Sequence, residues 1–205
     1  MPSVPFEKLS VEKKKQIEEA AIKEFSNYTY HDISINRIIH DIDMPRGSFY
    51  LYFENKEDLY LYIMDKYISE YIESFIKFLS INNGDIILSF EYVLDRAINY
   101  CDNGKYSMLL TKFLRGLTHR ISMKTPSLQN IELINRILNG INKDYLNDKC
   151  PENLFFVLDM LTNILIHSLT EYLVMEMPVD KVKEKYLEQL NIIRKGIYKE
   201  EVCLN

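Results

Sequence analysis

Residues 34 to 56, SINRIIHDIDMPRGSFYLYFENK, constrain the fold more than any other part of the chain. Ile35, Ile38, Ile39 and Ile42 recur at helical spacing, so a short helix is expected from about Ile35 to Asp41, with Ser34 placed as its N-cap. Ile42-Asp43-Met44 reads as a tight turn. A second short helix is expected to open at Pro45, since proline suits a first helical turn, and to run to about Phe53. Phe49 and Phe53, four residues apart, give that helix an inward side. Its other positions, Arg46, Gly47, Ser48, Tyr50 and Tyr52, offer a cation, a gap, a hydroxyl and two phenols. That is the chemistry of a surface that reads DNA, on the layout of a helix-turn-helix.

The flanks extend this unit. Residues 1 to 9 read as a loose arm, and a first helix is expected after Ser10, with Glu12 near its positive end. Ile17, Ala21, Phe25 and Tyr28 share one face of it and complete a three-helix head. Asn36 and Arg37 open the helix before the turn, an end that commonly faces the DNA backbone, and are candidate phosphate contacts. After the second short helix, Asn55 reads as an N-cap with Asp58 three residues on, as in a capping box. Lys56 then falls in a first helical turn, where the dipole disfavours a cation, which makes sense if a DNA phosphate docks there. The helix it opens is expected to reach about Leu79. It carries two adjacent apolar stripes, one through Leu59, Ile63 and Tyr67, the other through Tyr60, Met64 and Ile68.

Beyond it the chain is punctuated at Asn82-Asn83-Gly84, Asp102-Asn103-Gly104, Lys124-Thr125-Pro126, residues 147–151 and Met177-Pro178. Five more helices are expected, over about 85–101, 105–120, 127–146, 152–175 and 179–198. The fold class is therefore all-α: about nine helices, a helix-turn-helix domain over residues 1–54 and a helical-bundle body over 55–205. The helix at 152–175 is the most apolar and the one after it is amphipathic, a pairing that suits a four-helix interface with a second copy of the chain.

Composition narrows the function classes. The formal net charge is −5, and residues 1 to 56 hold eight Lys or Arg against nine Asp or Glu, so DNA binding must rest on local placement of cations and not on a basic head. The three cysteines, Cys101, Cys150 and Cys203, are far apart and read as free thiols; no metal-ligand spacing, cofactor motif or catalytic motif occurs. No cofactor, no metal and no enzymatic activity are expected. The N-terminus lacks the apolar core of a signal peptide, and no run is read as long and apolar enough to span a membrane, so a cytoplasmic protein is expected. The body is rich in aromatics and methionines that suit a pocket between helices, with a few polar groups to orient a ligand. The candidates are Phe78, Tyr92, Arg96, Met108, Phe113, His119, Asn163 and His167.

The run Arg46-Gly47-Ser48-Phe49-Tyr50-Leu51-Tyr52-Phe53-Glu54-Asn55-Lys56-Glu57-Asp58-Leu59 closely resembles the DNA-binding segment of the TetR family of bacterial repressors. The resemblance covers roughly the first quarter of the chain. It implies a homodimer joined through the last two helices, binding double-stranded operator DNA, with Lys56 on a phosphate, and a repressor released by a small-molecule effector. The turn departs from the family pattern, which commonly has Ala, Gly and Ser or Thr where this chain has Ile42, Asp43 and Pro45. The alternative is a DNA-binding dimer whose helical body is a protein-interaction module without a small ligand.

Overall fold

The computed structural model describes residues 3–103, 111–112, 114, 130–147 and 150–200. Among the described residues there are nine α-helices and no strand beyond an isolated antiparallel bridge between Leu146 and Tyr198. The chain divides into two compact units, Met1–Glu70 with Lys105–Leu128, and Tyr71–Gly104 with Gln129–Asn205.

The first unit contains α1 (Val4–Glu7), α2 (Val11–Asn27), a 3-10 turn (Tyr30–Asp32), α3 (Ile35–Asp41), α4 (Arg46–Tyr52) and the start of α5 (Lys56–Ile81). Ser10 caps α2 by accepting the Lys13 N–H. Ile17, Ala21 and Phe25 enter the core as their spacing requires, while Tyr28 stays 40% exposed. The arm is not loose. Phe6 is fully buried, its ring centroid 4.9 Å from that of Phe53 and 5.1 Å from that of Tyr62. Ahead of it, the Ser3 N–H donates to the Tyr52 carbonyl (3.0 Å) and the Ser3 hydroxyl to the Leu51 carbonyl (2.5 Å). These are carbonyls that a helix C-terminus leaves without a partner, so the arm closes α4 from below.

The second unit contains the rest of α5, then α6 (Ile86–Asn103), α7 (Ile131–Gly140), α8 (Leu154–Leu173) and α9 (Val179–Ile197), with 3-10 turns at Lys143–Tyr145 and Pro151–Asn153. Helices α6, α8 and α9 pack on one another. Tyr186 is wholly buried between them and donates to the Phe90 carbonyl at 2.8 Å; its burial raises the phenol's pKa. Lys183 pairs with Asp95 (2.7 Å) and Arg194 with Glu91 (2.8 Å), fastening α9 to α6. The α5–α6 break falls where expected. Asn83 and Gly84 both take positive φ, 53° and 79°, and a Cβ on Gly84 would lie 2.5 Å from the Asn142 backbone nitrogen.

Two expectations are corrected here. The helix expected over 127–146 is shorter, because Asn130 caps α7 and Asn142 caps a separate 3-10 turn. Leu146 then pairs with Tyr198 instead of continuing the helix. By length and composition α8 is apolar enough to cross a membrane, contrary to the sequence reading; one side of it is buried against α6 and α9. The helix expected over 105–120 lies outside the described residues except for Thr111, Lys112 and Leu114, which are helical. Cys150 is a free, buried thiol whose pKa is pushed up by that burial.

Candidate nucleic-acid interface

Helices α3 and α4 meet through a turn that the sequence supports residue by residue. Ile38 and Ile39 bury the inner side of α3, and Phe49 (1% exposed) and Phe53 (1%) bury that of the α4 segment. Between them Asp43 takes φ 49°, a left-handed conformation that Asp tolerates through its short polar side chain. The Met44 N–H then reaches back to the Ile39 carbonyl at 2.9 Å, and Met44 itself is buried, which fixes the angle of the turn. Pro45 is the N-cap of α4 and not its first helical residue; no side chain caps the helix, and the Ser48 N–H bonds to the Pro45 carbonyl at 2.9 Å. Ser34 likewise sits at the N-cap of α3, but its hydroxyl makes no capping bond; its N–H is taken by Glu24 at 2.8 Å.

The outer surface of this unit gathers Arg46, Asn36 and Tyr50. The Arg46 guanidinium donates to the Asn36 side-chain oxygen at 3.0 Å and lies 5.8 Å from the centroid of the Tyr50 ring, which is 47% exposed. Gly47 is exposed, and a Cβ there would meet nothing within 4 Å. Ser48 and Tyr52 are half-buried on the flank. Asn36, Arg46, Gly47 and Tyr50 therefore present one continuous polar face.

Arg37 and Lys56 are engaged within the protein. Arg37 grips Glu24 through two nitrogens (2.6 and 3.0 Å), donates to the Asp32 carbonyl at 2.6 Å and stacks on the Tyr28 ring with its centroid at 3.9 Å. The Glu24 bond raises the guanidinium's already high pKa. Glu24 is 6% exposed, and the sequence carried a signal for it: a carboxylate among Ile17, Ala21 and Phe25 on the apolar face of α2 needs a cation. Lys56 donates to the carbonyls of Tyr30 (2.9 Å) and His31 (3.1 Å), tying the start of α5 to the 3-10 turn. The α5 cap is reciprocal but offset. Asn55 accepts from the Asp58 N–H at 3.0 Å, and the Asp58 carboxylate accepts from the Glu54 N–H at 3.2 Å.

A depression of about 380 Å³ lies between α2 and α3, lined among others by Lys23, Glu24, Tyr28, Asn36, Arg37 and Asp41. Its charges are already paired: Lys23 with Asp41 at 2.6 Å, which holds the Asp41 carboxyl below its ordinary value, and Arg37 with Glu24. In the second unit, Phe78 and Tyr92 stack with centroids 4.2 Å apart and Arg96 lies 5.3 Å from the Phe78 centroid, so three of the pocket candidates come together. Asn163 and His167 lie on the exposed side of α8, Asn163 bonded back to the Asp159 carbonyl and His167 3.3 Å from Glu171. Met108, Phe113 and His119 lie outside the described residues. Among the described residues no three His, Cys, Asp or Glu side chains are placed to hold a metal ion.

Comparison with known proteins matches both parts of the chain. The model described as bacterial regulatory proteins, tetR family, matches residues 17–63, and the model described as the tetracyclin repressor-like C-terminal domain matches residues 85–197. An HTH-type transcriptional regulator of Staphylococcus aureus is 32% identical over 66 residues, 32% of this chain and 36% of that protein. An uncharacterized HTH-type transcriptional regulator of Bacillus subtilis, YdgC, is 26% identical over 98 residues, 46% of this chain and 50% of that protein. The aligned segments thus span between about a third and a half of these relatives. A TetR-family regulator structure from Mesorhizobium loti aligns with 92% of this chain and 98% of its own at a TM-score of 0.63 and 12% identity. The transcriptional regulator FadR from Bacillus subtilis, solved in complex with stearoyl-CoA, aligns over 86% of this chain and 97% of its own at a TM-score of 0.58 and 16% identity. Both share its fold.

Proposed function

The chain belongs to the TetR family of bacterial regulatory proteins, and on that premise we propose that it is a cytoplasmic, homodimeric repressor that binds operator DNA and is released by a small molecule. The observation that carries this reading is the outward face of α4. Its guanidinium is held by a neighbouring amide and phenol, and the glycine beside it has open space over its Cα. A fork aimed in this way matches the paired acceptors of guanine in the major groove. Residues 1–54 act as the reading head and 55–205 as the responding, dimer-forming body. Tyr50 and Ser48 flank the guanine contact, and Tyr52 and Asn36 take phosphates. Arg37 and Lys56 hold the frame, with Lys56 adding its field to the phosphate backbone. Two copies place their α4 helices in successive major grooves, with centres about 34–36 Å apart.

The effector site is proposed beside Phe78, Tyr92 and Arg96, a surface cluster with Tyr92 49% exposed, where an aromatic pair and a cation suit a mostly apolar molecule with an anionic end. The stearoyl-CoA held by Bacillus subtilis FadR supports an effector of that character. Such a ligand releases DNA only by binding one state of the body more tightly than the other. The test of the central reading is selection of bound duplexes from a random pool by the purified protein, followed by band shifts with Arg46→Ala. The expected result is a palindromic site and a loss of about 5- to 150-fold for the variant, the span of a bidentate base contact. Unchanged binding by Arg46→Ala would remove α4 as the reading surface.

A further inference from the structure

Leu51 has no folding role that its surroundings explain. It is 62% exposed, and it is absent from the apolar side chains that pack on the core of the head. Its backbone is nonetheless held firmly, since the Leu51 carbonyl accepts the Ser3 hydroxyl at 2.5 Å. Its direction follows from helix geometry. Phe49 points straight into the core, and residues two positions either side of it, Gly47 and Leu51, project about 160° away, along the outermost line of α4. They are four apart and therefore neighbours on the surface. One offers a bare isobutyl group and the other a vacant notch, with nothing within 4 Å of where its Cβ would stand. Arg46 and Tyr50 border this line on one side, and Ser48 and Tyr52 on the other.

A lone exposed leucine on a protein surface is ordinary. One at the crest of a reading helix, one turn from the notch at Gly47 and next to Tyr50, is in position to meet base edges. The only apolar group a base edge offers in the major groove is the C5 methyl of thymine. We propose that Leu51 is a specificity-determining residue whose isobutyl group packs on the C5 methyl of one thymine in each half-site. The inference rests on the DNA-binding reading given above and deepens it: the site would be specified by a methyl group as well as by hydrogen bonds.

Deoxyuridine tests this, because it removes the methyl and keeps every hydrogen-bonding group of thymine. The probe is the duplex recovered by selection, with each thymine replaced singly by deoxyuridine, bound by the wild-type protein and by Leu51→Ala. One position per half-site is expected to weaken wild-type binding about fourfold per methyl removed, the worth of one buried methyl group. Leu51→Ala is expected to bind the unmodified duplex more weakly and to be indifferent to deoxyuridine at that same position. Wild-type binding that is insensitive to every replacement, or Leu51→Ala as sensitive as the wild type, would overturn the role of Leu51 while leaving the DNA-binding reading intact. Recovery of no duplex at all would instead sink that reading, and this inference with it.

Discussion

At the scale of single residues, the head divides its polar groups between those spent inside and those left facing out. Arg37 and Lys56 both look, in the sequence, like cations awaiting phosphates, yet one is held by Glu24 and the other by two backbone carbonyls. Their partners lie 13 to 26 residues away along the chain; Glu24 on the apolar face of α2 signals that a cation is needed without saying which, and the carbonyls that hold Lys56 leave no mark in the sequence. The turn at Asp43, in contrast, was legible as a turn, and its φ of 49° is a left-handed conformation that a short acidic residue tolerates. Gly47 gives the sharpest residue-scale prediction. Gly costs up to about 1 kcal/mol relative to Ala in a helix interior and less in a first turn, where Gly47 stands, and nothing within the protein would touch an added methyl. Gly47→Ala is therefore expected to raise the thermal stability of the protein slightly and to lower DNA affinity by tenfold or so, one methyl's overlap at a tight groove contact costing about 1–3 kcal/mol. Thermal melts and band shifts on one preparation check both halves. A variant that binds as well as the wild type would show that the groove does not approach α4 at this point.

At the scale of elements, the helices with strong internal periodicity are the ones the sequence places correctly. Helix α5 begins at Lys56 as expected and ends at Ile81, and α9 matches its expected span within a residue or so. Misplacement occurs where a short segment is ordered by something distant. The arm Ser3 to Glu7 has too few residues for a period, and only the aromatic cluster of Phe53 and Tyr62 and the free carbonyls of α4 explain why it forms a helical turn. The helix expected over 127–146 failed for a related reason, since the isoleucine and leucine spacing continues past Gly140 while Asn142 and the Leu146–Tyr198 bridge pull the backbone away. The arm thus supports the reading helix, and Phe6 is its anchor. Phe6→Ala removes a fully buried ring and is expected to cost about 3–5 kcal/mol of head stability, seen as a lowered first transition in thermal or urea unfolding. It is also expected to weaken DNA binding through fraying of the α4 C-terminus. A variant with wild-type unfolding would mean that the arm is a passenger.

At the scale of the whole molecule, the question is what the exposed side of the last two helices is for. Helix α8 buries one side against α6 and α9, yet Phe155, Phe156 and Met160 remain 54%, 63% and 48% exposed on it, and Leu187 and Ile192 on α9 are 47% and 71% exposed. Large exposed apolar side chains on neighbouring helices are removed from water if a second copy packs on them, and a two-fold axis lets each copy supply the same surface to the other. The same side of α8 also carries polar groups, Asp159, Asn163 and His167, so its exposed apolar residues are concentrated near its N-terminal end. On the proposed reading, the homodimer contact is expected on this face. Phe156→Glu is expected to break it. Burial of one phenylalanine is worth about 1.5–3 kcal/mol, two-fold symmetry doubles it, and the dimer dissociation constant should rise by about two to four orders of magnitude, before the added charge is counted. Sedimentation at micromolar concentration should then show a monomer. Binding to a palindromic duplex should fall to that of an isolated half-site, with half-site affinity unchanged, because α3 and α4 are untouched. A Phe156→Glu protein that still sediments as a dimer would move the contact to another face of the chain, since an unpaired carboxylate buried in an interface is strongly destabilising.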